Sequence, residues 1–170
     1  MFGFNEKPKV PLRHRTSPYM NLAFQKLPTI HGTWYHEPST NALKMYTDGD
    51  IHKRADDYAE TYETNVGYIQ IDLGQVYEVY EIMIYSGYGG GYMTSNSSNT
   101  GTIELKTGLT NVEADATKRD SQTTTSTSYI PITLHYEGEG IPVRYVFFSM
   151  KSDGTYHQFV RIGEIEVFGC

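Results

Sequence analysis

The stretches 159-FVRIGEIEVFGC-170 and 66-VGYIQIDLG-74 decide the fold class. Both read as extended strands. In the first, Phe159, Arg161 and Gly163 fall on one side and Val160, Ile162 and Glu164 on the other. In the second, Ile69, Ile71 and Leu73 face one way while Tyr68, Gln70 and Asp72 face the other. A strand with one apolar face needs a second layer over that face, so the expectation is a sandwich or barrel.

Working outward, 77-YEVYEIMIYS-86 reads as a strand after a short turn at 74–75, and further strands are expected near 102–107, 129–136 and 143–150. No long helical period is visible, so the class is all-β. Residues 29–65 are loop-rich, and 52-HKRADDYAETYET-64 lacks a full apolar stripe and reads as a surface loop. The glycine- and serine-rich run 87–101 is expected to be a long loop. The threonine-rich 109–128 reads as either a β-edge or a loop. At 170 residues the chain amounts to one domain, and 15 tyrosines compensate for its modest hydrophobic content.

The net charge of −6 argues against general nucleic-acid binding, which draws most of its affinity from a basic field. The charge is uneven. Residues 1–20 carry a net +3, leaving −9 on the rest. With Pro8, Pro11 and Pro18 this segment reads as an extended basic arm ahead of a body at 21–170. It is either an unstructured leader or a segment that meets a partner. Cys170 is the only cysteine, so no internal disulfide forms. No apolar run has the form of a signal peptide or the length of a membrane span, and cytoplasmic synthesis is the plain reading.

Asp48-Gly49-Asp50 is a turn that can direct several oxygens at a hard cation, although Asp-Gly is common in turns of every kind. An EF-hand is excluded, because position 59 is alanine where the loop's glutamate would stand. Glu164 and Glu166 share one side of a strand, which by itself reads as a solvated face. His31 and His36 flank Trp34 and Tyr35. They could form a sugar platform of stacking ring and bonding imidazoles, or Trp34 could be core with the histidines at its rim. No P-loop, G-x-S-x-G, H-E-x-x-H or dinucleotide fingerprint is present, and no catalytic constellation emerges.

The ordered set "NLAF" (21–24), "NALKMYTDGD" (41–50), "YIQIDLGQVYEVYEIMIY" (68–85), "VRYVFFSM" (143–150) and "FVRIGEIEVFG" (159–169) resembles the discoidin domain. That family includes coagulation-factor C-type domains and galactose-binding carbohydrate modules. Tyr68 stands where tryptophan is more usual. The resemblance implies a jelly-roll β-sandwich of about eight antiparallel strands with a ligand site among loops at one end. It also implies a structural calcium ion, with side-chain oxygens from Asp48 and Glu164 and carbonyls from Met45, Asp50 and Gly163. Cys170 matches half of a disulfide whose partner this chain lacks, so its thiol is spare or intermolecular. The Arg-x-Asp motif of the fucose-binding branch occurs only as 54-RAD-56, in the wrong part of the chain. Apolar loop spikes of the lipid-binding branch are matched only weakly, by Tyr88, Tyr92 and Met93.

The expectation is a non-catalytic, lectin-like module for cell-surface glycan of galactose type. Its ligand residues would be His31, Trp34, His36, His52, Arg54, Tyr88, Tyr92 and Asn96. Weak single sites would call for many copies, by homo-oligomerisation or by display. A virion surface protein, docked on a capsid or tail through residues 1–20, accommodates the basic arm. The alternatives are a structural or interaction protein with an inactive sugar site, and a secreted carbohydrate-binding adhesion module.

Overall fold

The computed structural model describes residues 19–51, 58–61, 66–86, 92–95, 100–125, 128, 130–153 and 158–170. Two strands dominate. β4 (Val66–Tyr85) and β9 (Thr133–Asp153) pair antiparallel along nearly their whole length, from Val66↔Lys151 to Tyr85↔Thr133. Around them the larger sheet runs β1 (Met20–Asn21), β11 (Glu164–Gly169), β4, β9, β6 (Thr100–Gly108), β7 (Thr117–Thr124). β2 (Thr29–Gly32) is added on β4. A smaller sheet runs β3 (Ala59–Thr61), β10 (Gln158–Val160), β5 (Tyr92–Ser95), β8 (Ile130–Pro131). The alternation read from the sequence holds. Ile69, Ile71, Leu73, Ile82, Ile84, Leu134, Phe148 and Val167 are all buried in one core between the layers.

β4 is not straight. Twenty extended residues would run about 63 Å. A chain of contacts joins its ends by a shorter path: Thr33 N donates to Val66 O, Tyr35 N to Glu60 O, and Glu60 pairs with Phe159 five residues before Glu164, which faces Tyr85. That path spans at most about 50 Å. The bend falls where the register jumps between Asp72 and Tyr77, a bulge that turns the strand. The expected turn at 74–75 is therefore a bulge within one strand, and the strands expected at 66–73 and 77–86 are its two halves.

Other expectations change too. The stretch 159–170 is two strands in different sheets, and residues 161–163 carry the chain from one to the other. β11 pairs with the second half of β4, whereas residues 66–72 pair with β9. Part of the expected 52–64 loop is strand β3. The threonine-rich region supplies edge strand β7. A short helix forms, α1 (Thr40–Met45), capped by Ser39, whose Oγ accepts the Ala42 N–H at 3.2 Å. Eleven strands are present among the described residues, against about eight expected. No helix there is long and apolar enough to cross a membrane.

The basic arm lies outside the described residues up to position 18. Where it joins the body, Tyr19 stacks on Tyr80 with ring centroids 4.3 Å apart, and Met20 pairs with Gly169.

Candidate functional site

Residues 31–36 cross from the larger sheet to the smaller. His31 ends up beside Tyr68 in the β2–β4 pairing, and His36 forms a bridge with Glu60 of β3. Trp34 lies between them. Its indole N–H donates to His31 O at 2.7 Å, and its ring lies on Gly67, where an added Cβ would come within 2.4 Å of the indole. Trp34 is thus half-buried against the core edge, the packing role weighed from the sequence. The rings around it remain accessible. His31 stacks on Tyr68 at 5.1 Å, His36 stacks on Tyr58 at 4.2 Å, and Tyr35 is 63% exposed. Tyr58 was not foreseen. Its only signal was a tyrosine in the middle of a polar loop.

The segment therefore presents aromatic and imidazole faces with hydrogen-bonding edges, chemistry suited to a ligand having one apolar face and several hydroxyls. Of the other residues expected to bind ligand, His52, Arg54, Tyr88 and Asn96 lie outside the described residues. Tyr92 opens β5, and its side chain also lies outside what is described.

The Asp48-Gly49-Asp50 turn and Glu164 meet. Gly49 N donates to Glu164 Oε1 at 3.0 Å, across 115 residues of sequence, and Asp50 N donates to Asp48 Oδ1 at 2.9 Å. Gly49 has φ +82°, the left-handed region that glycine enters without strain. The loop after α1 is sewn to β11 by Ile165 N donating to Tyr46 O at 2.7 Å. This loop buries Glu164 completely, so the solvated-face reading of that strand fails at Glu164. A buried carboxylate needs compensation. The Gly49 N–H supplies part of that compensation.

The surroundings are acidic. Tyr85 donates to Glu166 Oε2 at 3.2 Å, and burial, reinforced by the negative charges of Glu166 and Glu164, pushes its phenol well above the ordinary range. The Asp48 and Glu164 carboxylates are donors of the hard-oxygen type, the chemistry that a calcium-class ion takes. Met45 ends α1 immediately before this loop, and Gly163 N donates to Tyr85 O at 3.0 Å next to Glu164.

The chain matches no protein-family description and no curated protein. Solved structures do resemble it. The fucolectin from striped bass (Morone saxatilis) serum aligns at TM-score 0.55 and 21% identity over 90% of this chain, which spans 50% of that lectin. Chitosan-binding module 1 from a Paenibacillus sp. IK-5 chitosanase/glucanase, as a selenomethionine-labelled mutant, aligns at TM-score 0.52 and 16% identity, covering 89% of this chain and 99% of the module. A Streptococcus pneumoniae fucose-binding module, SpX-3, aligns at TM-score 0.50 and 17% identity, covering 87% and 96%. At these identities the likeness establishes the fold: an all-β sandwich of the galactose-binding-like kind, shared with carbohydrate-binding modules and lectins.

Proposed function

We propose that this chain is a non-catalytic glycan-binding module. The observation that carries the reading is the crossing segment 31–36, where His31, Tyr35 and His36 leave ring faces and polar edges accessible around an anchored Trp34. The fold supports it, because its structural relatives include a chitosan-binding module, a fucose-binding module and a fucolectin. A pyranose offers an apolar face to stack and hydroxyls to bond, and the exchange of water for protein at hydroxyls leaves single-site affinity weak.

In its finer form the reading assigns a galactose-type glycan and a structural calcium ion held by Asp48 and Glu164 side chains with carbonyls of Met45, Asp50 and Gly163. The ion would tie the loop after α1 to β11 and take no part in bond-breaking. The net +3 on residues 1–20 supports a docking role for the arm on an acidic surface, such as a capsid or tail protein. Its last residues are fixed on β11 and Tyr80.

A glycan array probed with multimerised protein, with and without chelator, tests the proposal. Binding that weakens several-fold in Tyr35→Ala supports it, and loss on chelation supports the ion as well. No binding to any glycan overturns it in favour of a purely structural or docking protein. Deleting residues 1–18 tests the arm separately, since assembly or docking unaffected by the deletion would remove its proposed role.

A further inference from the structure

A second donor cluster lies well away from residues 31–36 and apart from the Asp48 turn, on the outward face of the β4–β9 pair. In the register Glu81 faces Glu137 and Met83 faces His135. Ile82, Ile84 and Leu134, at the alternate positions, point into the core. Alternation thus puts Glu81, His135 and Glu137 together on the other side of the sheet. His135 Nε2 lies 3.0 Å from Glu81 Oε1 and 3.9 Å from Glu137 Oε2, and the three ligand atoms lie within 4.8 Å of one another.

We propose that Glu81, His135 and Glu137 form a binding site for a divalent transition ion of the zinc class. The donor set is one imidazole nitrogen and two carboxylates, which suits borderline ions better than calcium. Two carboxylates approach one imidazole nitrogen, Glu81 Oε1 at 3.0 Å and Glu137 Oε2 at 3.9 Å. A cation between the three accepts from all. Ligands about 2.0–2.2 Å from a tetrahedral zinc stand roughly 3.3 Å apart. The Glu81 pair is already near that separation, and closing the Glu137 pair takes about 0.6 Å of movement, from a side chain that is 60% exposed. Three protein ligands leave a coordination position facing solvent, open to water or an anionic group of a ligand.

The frame is stiff where it needs to be. Glu81 is buried at 5% exposure and is held in the middle of the sheet between β9 and β11. The His135 backbone N–H donates to Asp120 Oδ2 of β7 at 2.9 Å, fixing the strand position from which the imidazole projects. The mobile ligand is the exposed one. This site does not depend on the glycan-binding proposal.

The test is titration of the full chain with Zn2+ alone, followed by calorimetry, and with Co2+ alone, followed by its visible absorption. Losing even an outer partner of a metal ligand typically weakens binding ~10–100-fold, so losing a ligand should cost at least about tenfold. Saturable binding that falls by that factor in His135→Gln and in Glu137→Gln, and survives Cys170→Ser, is the expected result. Glu137→Gln keeps the test sound if the His135 variant folds poorly, and a Zn2+-dependent rise in Tm should be present in the parent and absent from Glu137→Gln. No saturable binding by the parent, or binding unchanged in both variants, overturns the proposal.

Discussion

Glu164 Oε1 accepts the Gly49 N–H at 3.0 Å and Glu164 is fully buried, which ties the turn that follows α1 to the last strand. If the Asp48 turn also holds calcium, the ion adds stability by mass action, about 2.7 kcal/mol at a hundredfold excess over Kd. For a chain of this size that is ~5–10 °C in Tm. Calcium should therefore raise the Tm of the parent and leave Glu164→Gln unmoved. Equal calcium responses in the two proteins would place the ion elsewhere.

Gly67 lies under the face of Trp34, and a Cβ there would meet the indole at 2.4 Å. Gly67→Ala should displace the ring and destabilise the fold by about 1–3 kcal/mol, the usual cost of overpacking. Because Trp34 is the only tryptophan, its emission reports the shift directly. An unchanged spectrum and unchanged stability would mean that the ring does not rest on Gly67 in solution.

Tyr35 is 63% exposed, so its ring should matter more for ligand than for the fold. Tyr35→Ala is expected to alter stability by no more than about 0.5 kcal/mol while weakening glycan binding several-fold. Sugar titration followed by Trp34 emission, compared in parent and variant, measures both. A destabilised variant, or one with undiminished binding, would count against its role.

Glu113, in the 3-10 turn Glu113–Asp115, provides a pH probe on the outer face of the sheet. Burial pushes its carboxyl up, but the Lys106 ammonium at 2.5 Å and the Ser149 hydroxyl at 2.7 Å outweigh burial and hold it below its ordinary value. A carboxylate whose folded pKa is depressed contributes stability above its unfolded value, about 4.3, and loses that contribution as pH falls through the folded one. Glu113→Gln should therefore have a lower Tm than the parent at neutral pH, and the gap should close below about pH 4. A gap that persists at low pH would show that charge is not the cause.

The sandwich was legible because alternation survives in long strands: Ile69, Ile71 and Leu73, then Ile82 and Ile84, all point where the sequence said they would. The break at 161–163 was not legible. Val160 and Ile162 keep the alternation going although the chain is changing sheets between them. The six-residue α1 is too short to show a helical period and is marked mainly by its Ser39 cap. Local clustering exposed the 31–36 segment, since its rings are neighbours in sequence as well as in space. Glu81, His135 and Glu137 are brought together only by strand register, the first two being 54 positions apart in sequence. A lone acidic residue just ahead of a run of core positions was the one trace, and it reads equally well as solvent-facing. The burial of Glu164 likewise depends on a loop more than a hundred residues upstream.

β1 is held to β11 by only two residue pairs, Met20↔Gly169 and Asn21↔Phe168, whereas β4 and β9 grip each other along almost twenty residues. Under tension between residues 1–18 and a ligand held at the 31–36 segment, the load reaches the domain through this short seam. β1 would peel away first, lengthening the tether by a few residues while the β4–β9 pair and everything mounted on it kept its shape. The short strand would act as a shear pin, yielding before the part it protects.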